Sequence, residues 1–160
     1  MAYLPAVNIE QIATRALELA KNDLAQHGRV PAVALRIEDG VLDVQDVREF
    51  FADVAGKETL ALIMRTSALL GADALGLVTE AWWAAPDKAP ASGRGLEHAP
   101  GRRECIQVNV QAKTGWVTLS QFFGRDPKGA PVLEELETHR SSDPASTGWG
   151  GLMMNWYRVG

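Results

Sequence analysis

Residues 102–125, RRECIQVNVQAKTGWVTLSQFFGR, alternate apolar and polar side chains on either side of a Thr-Gly dipeptide. A period of two marks a strand with one buried face, and a tight turn between two such runs makes a hairpin. A two-residue turn at Thr114-Gly115 sets Lys113 opposite Trp116. Ile106, Val108, Val110 and Ala112 then share a face with Val117, Leu119, Gln121 and Phe123. Gln107, Asn109 and Gln111 share the other with Thr118, Ser120 and Phe122. A slip of one residue would turn the apolar set to solvent, so the pattern itself argues for register. The chain therefore needs a sheet and a second layer to cover its apolar side.

Helices supply that layer. In residues 7–28 an apolar stripe recurs at three- and four-residue spacing through Ile9, Ile12, Ala13, Ala16, Leu17, Ala20 and Leu24. Asn8 stands where an N-cap belongs, with Gln11 three residues on, and Gly28 can end the helix in the left-handed conformation. Val33, Leu35 and Ile37 alternate as a strand, and Asp39-Gly40 signals a turn. Residues 41–72 read as mostly helical, divided by Gly56, with the main helix over 57–70. Residues 74–84, ALGLVTEAWWA, read as an interior strand. Residues 86–102 form a long Pro/Gly loop. Beyond Phe123 loops flank a short element at 132–137, and 152–159 form a last strand.

This order predicts an α+β domain of two layers, with two main helices packed on one face of a largely antiparallel sheet. The first strand, the main helix and residues 74–83 are expected to make one parallel crossover.

The chain has 160 residues, which suits one domain, and 46% of them are hydrophobic, enough for a core. A formal net charge of −4 speaks against nucleic acid as a partner, since phosphate binding needs a dense positive surface. Cys105 is the only cysteine, so no internal disulfide and no thiolate-rich metal site can form. The opening residues lack the pattern of a secretion signal, and no apolar run is long enough for a membrane span. A soluble, cytoplasmic protein without membrane contact is expected.

Several side chains are candidates for chemistry or binding. Glu80 shares a strand face with Val78 and Trp82, and a carboxylate among apolar neighbours can serve as acid or base. The commoner role is a structural partner at a sheet end. Trp82 and Trp83 point to opposite faces, one into the core, the other over the sheet edge or out as an anchor. His98, with Glu97, Arg102, Arg103 and Glu104 around it, could titrate or ligate metal, but no ligand spacing accompanies it. His27 and His139 belong to a helix end and a loop. Residues 56–59, GKET, lack the earlier glycine of a phosphate-binding loop. No nucleophile signature is present, and no cofactor or metal is implied. The neutral hairpin face is less usual. Gln107, Asn109, Gln111, Thr118 and Ser120, bordered by Trp116 and Phe122, suit either a protein contact or cover by the tail with its Trp149 and Trp156.

The strand end TEAWW, then a Pro/Gly loop, then EHAPGRRE leading into the hairpin, resembles small uncharacterised proteins of bacteria and their phages. In those a Glu-x-Trp strand end precedes an E-H-P-D-R-type stretch. The matching residues are Glu80, Trp82, Glu97, His98, Pro100 and Arg102 or Arg103, over roughly residues 30 to 125. Ala99 intervenes between His98 and Pro100, and Gly101 stands where an acid would. The resemblance implies a bacterial or phage setting and no reaction. The functional expectation is macromolecular binding or self-assembly without catalysis, with a protein partner or a homo-oligomer. Glu80, Trp82, Trp83, His98, Arg102, Arg103, Trp116 and Asn109 are the candidate binding residues. The alternative is a small hydrolase or ligand-binding domain centred on Glu80, His98, Arg102 and Arg103.

Overall fold

The first helix forms as its caps dictate. The computed structural model describes residues 8–84, 100–142 and 156–157. In it α1 runs Ile9–His27; the Asn8 side chain accepts from the Gln11 N–H, and Gly28 at φ 73° donates to the Leu24 carbonyl. Six strands follow: β1 (Val33–Glu38), β2 (Val41–Asp46), β3 (Ala74–Trp83), β4 (Arg103–Ala112), β5 (Gly115–Arg125) and β6 (Pro131–Ser141). A short 3-10 turn at Arg48–Phe51 and helix α2 (Val54–Leu69) separate β2 from β3. The sheet order is β2-β1-β3-β4-β5-β6, and every pairing is antiparallel. The α+β class and the antiparallel sheet are as the sequence predicts.

The helices, however, divide between the two faces. Successive strand residues point to opposite sides. On β3, Val78 packs with Ala13, Leu17 and Leu24 of α1, while its neighbours Leu75 and Leu77 pack with Leu60, Met64 and Ala68 of α2. The expected pair of helices on one face thus becomes three layers, helix, sheet and helix. The second layer over the α2 side is extended by Trp156 and Tyr157.

Two other expectations change for one reason. Asp39 and Gly40, both at positive φ, make the tight turn of a β1–β2 hairpin. That extra strand reverses the chain before α2, so β3 pairs antiparallel with β1 and no parallel crossover exists. Helix α2 begins at Val54 rather than at 57, because Asp53 caps it by accepting from the Gly56 N–H. Gly56 does not divide the helix; its Cα lies so close to the Phe50 carbonyl that a Cβ would sit 2.5 Å away.

The β4–β5 hairpin keeps its predicted faces but slides by two residues. Ala112 pairs with Gly115 and Gln111 with Trp116, so the turn is Lys113-Thr114. A slide of two leaves every side chain on its own face. Gly115 is needed elsewhere: at φ 142° it opposes the end of β6, where a Cβ would meet the Ser141 carbonyl oxygen at 2.1 Å. The expected short element at 132–137 is an 11-residue edge strand, and His139 lies on it rather than in a loop. It carries a bulge: Gln121 opposes Leu136 and Phe123 opposes Leu133, so two residues face Phe122. Gln121 Nε2 donates to both bulged carbonyls, of Glu134 and Glu135, at 2.9 and 3.2 Å. The expected loop at 86–102 lies, up to residue 99, outside the described residues, as do Trp149 and most of the expected last strand.

Candidate functional site

Glu80 has a structural partner. On the α1 side of β3 it accepts from the Val30 N–H at 2.6 Å, tying the exit of α1 to the sheet. Val30 is buried, so its N–H needs that acceptor. Trp82 lies on the same face, under the guanidinium of Arg102 at 5.4 Å from the ring centroid. Trp83 lies on the opposite face, edge-to-face with Phe122 at 5.8 Å. Arg103 also lies there: it stacks over Phe122 at 4.0 Å and clamps the β6 bulge through Glu134 and Glu135. Its guanidinium holds the Glu135 carboxyl below the usual range. Glu80 and Arg103 therefore stand on opposite faces of the sheet and do not converge. His98 falls outside the described residues. Among those residues no group of His, Cys, Asp and Glu is placed to hold a metal ion. No described helix is long and apolar enough to cross a membrane.

The neutral hairpin face is covered. Asn109, Gln111, Thr118, Ser120, Trp116 and Phe122 are all buried. Gln111 Oε1 accepts from the Trp156 N–H at 2.9 Å, and Tyr157 donates its hydroxyl to the Ala72 carbonyl at 2.8 Å. Of the two uses expected for this face, cover by the tail is the one observed, so Asn109 and Trp116 offer no free surface. Cys105 belongs to the same interior, where burial pushes its thiol up to about 11. Such a thiol is inert at neutral pH.

An uncovered apolar surface lies along β1 and β2, the second of which sequence reading did not place as a strand. Helix α1 sits over β3, β4 and β5. The sheet continues two strands further, and six strands at about 4.8 Å spacing exceed what one helix about 10 Å wide can cover. On the α1 side, β1 presents Val33, Leu35 and Ile37, and their partners on β2 include Leu42 and Val44. Leu42 is 54% exposed and Val44 56%. With Leu19 of α1 these side chains line an open trough of about 400 Å³. The strand residues that line it carry no charge; Asp46, the partner of Val33 on the same face and paired with Arg48, stands at one end, and Arg15 and Asp23 stand on the α1 rim. β2 is also an open sheet edge, exposed at all six residues. Two sequence signals pointed here: the Asp39-Gly40 turn, which calls for a returning strand, and Leu19, an apolar residue off the stripe of α1.

Trp82 and Trp83 remain partly exposed, at 38% and 40%, beside the last described residues of β3. Each already holds an arginine or aromatic partner. Comparison with family models, with curated proteins and with solved structures finds no match.

Proposed function

We propose that the protein works by binding protein, another or a copy of itself, through the uncovered β1–β2 flank beside α1, and not by catalysis. The carrying observation is the apolar set Val33, Leu35, Ile37, Leu42 and Val44 on that flank, beside an unpaired sheet edge, with charge only at its margins, at Asp46, Arg15 and Asp23. Exposed contiguous apolar surface costs solubility unless something covers it, and open edges invite association. The former candidates favour this reading by their occupations: Glu80 holds Val30, and Arg103 holds the β6 bulge. The bacterial or phage setting rests on the resemblance alone.

A photo-reactive side chain at position 42 tests the reading, with position 41 as control. The two residues are adjacent on β2 and point to opposite faces. Cross-links to protein from 42 and few from 41 are expected in extracts of the source cell. No protein adduct at 42, or equal adducts at both, would sink the reading.

A further inference from the structure

The trough is one helix short, and the same chain carries a helix with a face to spare. Helix α2 buries Leu60, Ala61, Met64 and Ala68 against the sheet. Its outward side repeats the pattern: Leu62, Ile63, Thr66, Leu69 and Leu70 lie at helical spacing. Leu62 is 68% exposed and Leu69 67%. A surface helix ordinarily turns charge to water on that side. The one charge between Leu62 and Leu70 is Arg65, which is half-buried and donates to the Trp156 carbonyl at 3.3 Å. Between Leu62 and Leu70 the stripe sets no free charge against Leu42 and Val44, and the charges nearest the trough, Asp46, Arg15 and Asp23, stand at its margins, where they can stay in water on docking.

We infer that the occupant of the trough is α2 of a second copy, its Leu62–Leu69 stripe lying across Leu42 and Val44 beside the neighbour's α1. This rests on the reading of the flank as a protein-binding surface. The dimensions agree. The stripe from 62 to 70 runs about 12 Å at 1.5 Å per residue, and six-residue strands run about 17 to 20 Å. Because stripe and trough lie on opposite faces of the sheet, one copy cannot satisfy its own trough, and the contact is head-to-tail. Area sets the form of assembly. A 16-residue helix is about 24 Å long and 10 Å wide, a footprint of roughly 240 Å². Even doubled for surface relief, that stays below the roughly 800 Å² each partner gives to a standard stable pair. A lone pair is therefore weak, and association grows as each copy uses both surfaces, into a ring if the rotation between copies closes and an open chain if it does not.

Two blocked variants test this. Leu62→Glu with Leu69→Glu spoils the stripe; Leu42→Glu with Val44→Glu spoils the trough. All four positions are more than half exposed, so both variants should fold, which circular dichroism and melting check. By light scattering up to millimolar protein, the wild type should grow beyond its 17.3 kDa monomer mass with concentration. Each variant alone should stay monomeric or associate at least tenfold more weakly. Mixed in equal amounts at millimolar protein, they should associate more than either does alone and go no further than a 1:1 pair, because one retains a good trough and the other a good stripe. A monomeric wild type overturns the inference, as does assembly that survives either pair of substitutions. Variants that fail to pair on mixing overturn it too. If cross-links from position 42 then reach a different protein, the binding reading survives and self-docking does not; if they reach none, both fall.

Discussion

The centre of the sheet and its β1–β2 flank are built from the same residue types and end in opposite states. Ile106, Val108, Val110, Val117, Leu119 and Phe123 lie under α1 and are buried. Leu42 and Val44, equally apolar, lie on the same side of the same sheet and are more than half exposed. The difference is cover, not composition. One helix about 10 Å wide covers two or three strands of a sheet six strands wide. A sequence pattern thus states which side chains seek burial, while topology decides which of them find it within the chain.

The comparison can be broken by truncation. Phe123→Ala should cost about 3–5 kcal/mol and Ile106→Ala about 2–5 in denaturant unfolding, since both leave cavities under α1. Leu42→Ala should stay within about 0.5 kcal/mol in dilute protein. Equal losses at Leu42 and Ile106 would mean that the flank is covered after all.

Glu80 sharpens the picture at the seam between centre and flank. Glu80→Ala leaves the buried Val30 N–H without its acceptor and should cost about 1–3 kcal/mol. Glu80→Gln, which keeps a carbonyl oxygen, should cost less than half of that. Indifference to both would remove the structural role assigned here.

The second face of the sheet gives smaller effects. Tyr157→Phe loses the hydrogen bond to Ala72 and should cost about 1 kcal/mol. Thr118 is buried and its hydroxyl has no partner among the described residues, so Thr118→Val should gain about 0.5–1 kcal/mol. A loss there would mean the hydroxyl is bonded. Titration separates interior from rim. Burial raises both the Tyr157 hydroxyl and the Cys105 thiol, so each contributes stability that is full below its ordinary value and lost as pH rises. For Cys105 that window opens near 9.0 and closes near 11. At the rim, Arg48 lowers Asp46 and Arg103 lowers Glu135, so their small contributions are present at neutral pH and fade as pH falls through the carboxylate range. Urea midpoints across pH should therefore fall more above 9 than the rim pairs lower them below 4.

Much of this was legible in the chain. The α1 caps at Asn8 and Gly28, the two faces of the β4–β5 hairpin and the strand through Glu80 follow from spacing alone. β2 was hidden because Val41, Leu42, Val44 and Val47 also fit a helical period, and a six-residue segment cannot separate the two. β6 was hidden by its bulge. Leu133 and Leu136 are three apart, a helical spacing, yet the extra residue turns both to the same face of a strand. The parity of β3 could not say which side α2 would take, since ALGLV is apolar on both. The uncovered flank was invisible for the same reason: an exposed strand and a buried one share an alphabet, and only the sheet order reveals which is the edge.

Hydroxyl-radical footprinting of dilute and concentrated protein tests the central claim most directly. Leu42 and Val44 should label strongly in dilute solution, and labelling at both should fall as concentration rises. Val41, on the other side of the same strand, should hardly change, and Phe122 and Val108 should stay unlabelled throughout. Labelling of Leu42 and Val44 that is weak when dilute, or equal at every concentration, would contradict it.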